Sequence, residues 1–295
     1  MSRRASRAQP PLPNLIVGGA QRAGTTSLHY LLAGHPQIYF PDKPQEIHFF
    51  DVDGAYDRGL EHYRRLFRGW QEEPWVGQTS PLYLFEPSVP ERIHRHLPQA
   101  RMIFILRQPV ARAYSHYWLE VRYGWETESF ERALELEEER LAGGFDARRN
   151  YSYVARGRYA EQLQRYHDLF PRRQILVLLQ EELRADPERF IGRCAEFLDL
   201  PAEGFPAPGG RVAHRNAARL PRWPRLQRWA RPVREVFPRF GYLVDRLNLQ
   251  RRSYPPMAED TRRRLEELFA PEIDAFEELT GIDATVWRPK DWRPR

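Results

Sequence analysis

The 295-residue sequence is poor in cysteine and lysine and contains no long apolar run. Its single cysteine, Cys194, excludes an internal disulfide framework and a cysteine-rich metal site. Because Cys194 lies in an apolar-periodic stretch, we expect a buried structural thiol there. No segment approaches the roughly 20 apolar residues of a membrane-spanning helix, and the N-terminus lacks a signal-peptide pattern. We therefore expect a cytoplasmic protein without a membrane span.

The charged residues are numerous but mixed in sign. Lysine occurs only at positions 43 and 290, so 44 of the 46 basic residues are arginine, and 40 acidic residues leave a net charge of +6. Outside the first residues the basic side chains form no continuous block, which argues against a nucleic-acid partner and favours a local pocket for an anionic ligand. Hydrophobic residues make up 41% of the chain, enough for a packed core.

Short apolar runs alternate with stretches of helical periodicity. The pattern predicts strands at 15–17, 37–40, 75–79, 101–106 and 174–179, and helices at 25–33, 91–97, 110–123, 128–142, 157–170, 187–199 and 259–280. This alternation is typical of an α/β fold with a central, mostly parallel sheet flanked by helices on both faces. We expect a flexible tail over 1–13, a single domain over 14–290, and a partly irregular segment rich in Pro, Arg and Trp over 201–256.

The stretch from Gly19 to Ser27 follows the first predicted strand and opens the first predicted helix. Backbone N–H groups and the dipole at such a helix start attract anions. The loop adds a guanidinium at Arg22, and hydroxyl groups follow at the helix start. The sequence therefore predicts an anion site and a P-loop type of nucleotide-binding fold.

The loop differs from the nucleotide triphosphatase pattern G-x-x-x-x-G-K-[ST]. Its glycines are correctly spaced, but Thr25 occupies the lysine position and the cation has moved to Arg22. After the strand at 101–106, where an acidic magnesium ligand would be expected, the chain has Arg107. These departures favour a metal-free site for a smaller anion.

Two motifs resemble the sulfotransferases that use 3′-phosphoadenosine 5′-phosphosulfate (PAPS), in particular bacterial proteins of the heparan sulfate sulfotransferase type. The loop is similar to that family's 5′-phosphosulfate loop, and the sequence ILRQPVARAYSHY from Ile105 is similar to its 3′-phosphate motif. The resemblance implies PAPS as cosubstrate and PAP as product. It implies cofactor contacts from Arg22, Ala23, Gly24, Thr25, Thr26, Ser27, Arg107 and Ser115, with Arg22 also acting in catalysis.

The sequence QEIHFF from Gln45 resembles the catalytic segment of heparan sulfate sulfotransferases. That resemblance implies that Glu46 is the general base and that His48 assists or orients it. By itself a Glu-x-His sequence is most often an exposed or hydrogen-bonded pair. If the segment is extended, residues two apart place their side chains on the same face.

Two features depart from the resemblance. Arg22 stands where the family usually has lysine, and the family's Lys-Gly pair over the nucleotide is missing near Arg215 and Asn216. The sequence does not reveal the acceptor: a carbohydrate is the first candidate, lipids and small metabolites stay open, and no oligomeric state is indicated. Two alternatives remain, a P-loop kinase acting on a small molecule and a non-enzymatic module that binds nucleotides or glycans.

Overall fold

The computed structural model describes residues 9–207 and 219–289. Within them the chain forms two compact units, one made of residues 9–106 and 162–207, the other of residues 107–161 and 219–289. Most of the predicted N-terminal tail lies outside the described residues, as do Arg215 and Asn216. The expectation of a single domain over 14–290 stays a prediction.

The elements of both units can be given in chain order. The strands are β1 (Leu15–Gly19), β2 (Ile38–Tyr39), β3 (Trp75–Thr79), β4 (Arg101–Leu106), β5 (Ile175–Leu179), β6 (Arg219–Pro221) and β7 (Leu249–Arg251). The helices are α1 (Thr25–Ala33), α2 (Asp53–Tyr56), α3 (Gly59–Arg64), α4 (Val89–His96), α5 (Pro109–Tyr123), α6 (Phe130–Glu135), α7 (Glu137–Leu141), α8 (Phe145–Tyr151), α9 (Tyr159–His167), α10 (Gln180–Ala185), α11 (Pro187–Leu198), α12 (Pro224–Val236), α13 (Pro238–Asn248) and α14 (Glu259–Thr280). Among the described helices, none has the length and apolar character needed to cross a membrane.

The first unit contains a five-stranded parallel sheet in the order β2-β3-β1-β4-β5. The central strand β1 pairs with β3 on one side and β4 on the other, so that Leu15 lies opposite both Gly77 and Arg101. After β1 the chain builds β2 and β3 on one side and then crosses back to build β4. Open α/β sheets bind ligands at the carboxyl ends of their strands beside such a reversal.

Helices cover both faces of this sheet, as the sequence predicts. Alternate residues of β4 explain how: Ile103 and Ile105 join a core cluster with side chains of α1 and α11. Phe104 faces the opposite way and packs against Tyr166 of α9, with ring centroids 4.8 Å apart. Because both faces are buried, the strands are continuous apolar runs rather than alternating ones.

The lone cysteine belongs to this core. Cys194 of α11 is fully buried among the aliphatic side chains of the cluster. Burial raises the pKa of its thiol to about 12. The expectation of a buried structural thiol is therefore confirmed.

The second unit is built around α5. Side chains of α5 form an apolar cluster with side chains of α6 and α14. The members of this cluster are Val110, Ala113, Tyr117, Val121, Phe130, Ala133, Leu134, Tyr153, Leu265 and Phe269. The buried carboxylate of Glu137 accepts hydrogen bonds from the backbone N–H groups of Val154 and Ala155, at 2.7 and 2.8 Å. These bonds tie the chain before α9 to the start of α7.

The prediction of a partly irregular segment over 201–256 is wrong for most of its described part. Helices α12 and α13 pack against each other there, and β6 pairs antiparallel with β7. Two of the prolines that suggested irregular structure, Pro224 and Pro238, occupy the first turns of these helices, and Pro232 lies inside α12. Proline fits that position because its missing N–H would have no partner inside the helix. The helix predicted at 128–142 is also divided into α6 and α7.

Helix α1 is fixed to the sheet partly through a buried histidine. Nδ1 of His29 lies 2.9 Å from Oγ1 of Thr79 in β3, and its ring packs on Phe40 at 4.6 Å. Burial lowers the pKa of His29 from 6.5 to about 4, and the negative charge of Glu46 opposes this shift. His29 is therefore neutral in the folded protein at neutral pH.

This histidine predicts a loss of stability in acid. The unfolded chain binds a proton at His29 near pH 6.5, whereas the folded chain binds it only near pH 4. Between these values we expect His29 to lower the free energy of unfolding by about 3 kcal/mol. Urea denaturation across this pH range should show that the free energy of unfolding falls less steeply with falling pH in His29→Gln than in wild type. The exposed-site control His94→Gln should keep the wild-type slope, and equal slopes for all three proteins would contradict the assignment.

Candidate active site

The loop after β1 is held between two neighbouring segments. The amide of Ala20 donates to the carbonyl of Ile105 at 2.7 Å, and the amide of Leu84 donates to the carbonyl of Gly18 at 2.8 Å. A side chain at Gly18 would not fit, because its Cβ would lie 2.5 Å from the Phe104 ring. The start of the loop is therefore fixed by β4 on one side and by the chain after β3 on the other.

The loop then turns tightly into α1. The amide of Ala23 donates to the carbonyl of Ala20 at 3.1 Å. Arg22 and Gly24 have φ values of 70° and 105°, both in the left-handed region. For a residue with a side chain this conformation costs about 1 kcal/mol or more, and such strain is concentrated at ligand sites.

Helix α1 begins at Thr25 and has no acidic side chain in its first turn. Ala23 and Thr25 are buried, whereas Arg22, Thr26 and Ser27 are half-buried. The N–H groups of a helix's first turn have no partner within the helix and, with the dipole, favour a bound anion. The structure thus brings the predicted loop residues together in a single turn suited to phosphate or sulfate.

The segment of Glu46 runs beside the end of β3. The amide of Ile47 donates to the carbonyl of Thr79 at 2.9 Å, and the amide of Ser80 donates to the carbonyl of Val17 at 3.0 Å. The end of β3 therefore lies between the Glu46 segment and β1. With a spacing of about 4.8 Å between neighbouring strands, the Glu46 segment is about 10 Å from β1. Glu46 is also within electrostatic reach of His29 on α1. Loop and carboxylate therefore belong to the same end of the sheet.

Three ionisable side chains form a line on this segment. Nε2 of His48 lies 3.6 Å from a carboxylate oxygen of Glu46, and Nδ1 lies 2.6 Å from Oδ2 of Asp51. The Asp51 side chain is completely buried, His48 is half-buried, and Glu46 is exposed. The hydroxyl of Ser80 lies 3.3 Å from the same Nδ1. Asp51 and Ser80 thus fix the imidazole on its Nδ1 side, and its Nε2 side faces Glu46.

The backbone of this segment is supported by Tyr83. Its hydroxyl accepts hydrogen bonds from the amides of Phe49 and Phe50, at 3.3 and 3.1 Å, and donates to the carbonyl of Ile47 at 3.1 Å. Burial raises the pKa of Tyr83, so its hydroxyl keeps its proton. One side chain therefore fixes the backbone on either side of His48.

Sequence reasoning missed Asp51, Ser80 and Tyr83. Asp51 could have been found, because it lies three residues after His48 in a segment already singled out. Ser80 directly follows β3, and the carboxyl ends of parallel strands are where ligand-site residues are expected. Nothing in the sequence marks Tyr83.

Arg107 and Ser115 belong to the second unit. Arg107 directly follows β4, and its carbonyl accepts a hydrogen bond from the hydroxyl of Tyr159 at 2.8 Å. Ser115 is buried in the first half of α5, which has no acidic residue in its first turn. The side chain of Gln108 caps α5 by accepting from the amide of Ala111 at 2.6 Å. Their assignment to a 3′-phosphate stays a prediction.

Comparison with known proteins gives relatives of one kind. A sulfotransferase from Alicyclobacillus acidocaldarius has a similar solved structure, with a TM-score of 0.71, 31% identity, and coverage of 94% of this chain and 99% of that one. Human heparan sulfate glucosamine 3-O-sulfotransferase 5 is 31% identical over 193 residues, which are 64% of this chain and 54% of that protein. Human heparan sulfate glucosamine 3-O-sulfotransferase 3B1 is 32% identical over 189 residues, which are 64% of this chain and 46% of that protein.

The family match includes the residues of the candidate site. This chain spans about half the length of the human relatives that it matches. The profile of the sulfotransferase domain matches residues 12–213, which include the loop after β1, the Glu46 segment and the motif around Arg107. The match covers more than half of the chain, and the structure from A. acidocaldarius agrees with it over nearly its whole length. This chain therefore belongs to the family of proteins with a sulfotransferase domain.

Proposed function

We propose that this protein transfers a sulfuryl group from PAPS to a hydroxyl group, or to an amine, of an acceptor. One observation supports the proposal most strongly: an anion-binding helix start and a carboxylate–imidazole–carboxylate line lie at the same end of one parallel sheet. A carbohydrate acceptor is the first candidate, because the human relatives are named as sulfotransferases of heparan sulfate glucosamine.

The first unit offers what a 5′-phosphosulfate requires. Its loop N–H groups and the start of α1 favour negative charge, and Arg22 adds a forked donor suited to two oxygens. Thr25 stands where a nucleotide triphosphatase has lysine, which disfavours the kinase alternative. In the proposed complex Arg107 and Ser115 hold the 3′-phosphate, as the family resemblance implies.

The transfer itself is an in-line displacement at sulfur. Glu46 takes the proton of the acceptor hydroxyl as its oxygen attacks the sulfur. The bond between sulfur and the bridging phosphate oxygen breaks, its electron pair stays on that oxygen, and PAP leaves. Arg22 and the loop N–H groups stabilise the negative charge that develops on the leaving oxygen. The acceptor gains the sulfuryl group and the protein gains one proton at Glu46, which it then releases to solvent.

His48 acts through Glu46 in this proposal. Asp51 is buried and accepts a hydrogen bond from Nδ1 of His48, which fixes the ring orientation and leaves Nε2 facing Glu46. The ring held in this way lies 3.6 Å from the Glu46 carboxylate and limits its rotation. His48 and Asp51 are therefore positioning residues, and Glu46 is the base.

The cosubstrate can be tested without knowing the acceptor. We expect PAP to raise the melting temperature of the purified protein. A ligand present at 100 times its Kd adds about 2.7 kcal/mol to the free energy of unfolding. The shift should be lost in Arg107→Ala and kept in Arg263→Ala, which changes an exposed arginine of α14. Stabilisation by magnesium-ATP equal to that by PAP would overturn the proposal and favour the kinase.

The base can be tested by a neutral substitution. Glu46→Gln should keep the PAP-induced melting shift and lower PAP formation from PAPS by about 10²- to 10⁴-fold. Turnover is measured with heparan sulfate and with a panel of simpler sugar hydroxyls as acceptors. Glu61→Gln, at an exposed carboxylate of α3, is the control. Wild-type turnover in Glu46→Gln would remove Glu46 from the mechanism, and PAP binding with no transfer by wild type would favour the binding module.

The positioning residue Asp51 has a matched neighbour. Asp51→Asn should reduce kcat by about 10²-fold by releasing the His48 ring, with little change in the PAP melting shift. Asp53→Asn changes a carboxylate that is 80% exposed and should leave kcat unchanged. If both variants lose kcat equally, or if Asp51→Asn loses only stability, the orienting role is wrong.

A further inference from the structure

The exposed apolar side chains of this protein are concentrated in one small part of the second unit. Of the nine large hydrophobic side chains exposed in the described part of the chain, seven lie between positions 223 and 247. They are Trp223, Trp229, Val236, Phe237, Tyr242, Leu243 and Leu247. Tyr242 is 72% exposed and Leu247 69%. Contiguous exposed apolar side chains of this size mark interaction surfaces rather than ordinary protein surface.

Five of these side chains stand on the exposed faces of α12 and α13, which pack against each other, while Trp223 precedes α12 and Phe237 lies between the two helices. The buried positions of the two helices include Ala230, Gly241 and Val244, and the Gln227 amide donates to the Asp245 carboxylate at 3.2 Å. A helix of a soluble protein normally buries its large apolar residues and exposes polar ones. In this hairpin five large apolar side chains are exposed instead, which leaves them for an external contact.

The hairpin, together with the strands β6 and β7 beside it, contains the protein's excess positive charge. Residues 219–252 include ten arginines and two acidic residues, a net charge of +8, which exceeds the +6 of the whole chain. Arg225, Arg228 and Arg246 are exposed and alternate with the apolar residues along the outer faces. Asp245, one of the two acids, is engaged with Gln227. The outer surface is therefore both apolar and strongly basic.

From this combination we infer that the α12–α13 hairpin docks on an anionic lipid bilayer. Apolar and aromatic side chains enter the boundary between headgroups and acyl chains, while arginines remain at the charged headgroups. A second copy of the chain fits poorly, because a two-fold contact would place the same positive surfaces against each other. A polyanionic glycan would satisfy the arginines, but Val236, Leu243 and Leu247 would gain little from a polar sugar. The inference is independent of the proposed reaction.

The test uses vesicles and the full chain. We expect the protein to sediment with vesicles of phosphatidylcholine mixed with phosphatidylserine, and far less with phosphatidylcholine alone. Leu243→Asp combined with Leu247→Asp should lower the partition coefficient about tenfold or more. Each of Arg225→Ala, Arg228→Ala and Arg246→Ala should lower it about fivefold. Because all five side chains are exposed, the melting temperature should stay at the wild-type value.

Leu268→Asp and Val286→Asp are the matched controls, since both change exposed apolar residues outside the hairpin. They should bind vesicles as wild type does. Equal binding by wild type, hairpin variants and controls would overturn the inference. It would also be overturned by retention on immobilised dextran sulfate that depends on the arginines but not on Leu243 and Leu247, which indicates a glycan surface. A dimer in solution that the Leu243/Leu247 double variant dissociates would overturn it in favour of self-association.

Discussion

The amide of Ala20 donates to the carbonyl of Ile105, and the candidate site depends on this contact between the loop after β1 and the end of β4. It is possible only because the backbone at Gly18 runs directly against the Phe104 ring, where a side chain would collide. With the loop entry fixed, the left-handed residues Arg22 and Gly24 reverse the chain and the N-terminus of α1 is aimed at the carboxyl end of the sheet. The loop thus follows a pairing of β1 with β4 that is in register from Leu15 to Val17 and shifts between Val17 and Gly19.

The charges near the loop follow a simple electrostatic order. His29 of α1 is buried and neutral. The positive charge offered to a ligand therefore comes from Arg22 and the helix start rather than from the core. The carboxylate of Glu46 stands on a segment on the other side of β3 from β1, and the backbone of this segment is bonded to β3 and to Tyr83. The helix start follows β1, and the Glu46 segment is bonded to the end of β3, the strand paired with β1, so both lie at the same end of the sheet.

Much of this site could be predicted from the sequence because its parts are local. The spacing of Gly19 and Gly24 and the hydroxyl groups that follow define the loop within a few residues, and the resemblance added Glu46 and His48. What could not be predicted depends on contacts between distant residues, such as Ser80 with His48, 32 positions apart. The hairpin α12–α13 was missed for another reason, since proline at a helix start and proline in an irregular segment are identical in a sequence.

The buried cysteine has a practical side. Thiol reagents attack the thiolate, and Cys194 offers neither an exposed sulfur nor an appreciable thiolate population at neutral pH. Since this chain has no other cysteine, the folded chain should react little with maleimides. A cysteine introduced at any exposed position would become the single attachment point for a fluorophore or spin label. The protein can therefore be followed by site-specific spectroscopy without first removing a native residue from its core.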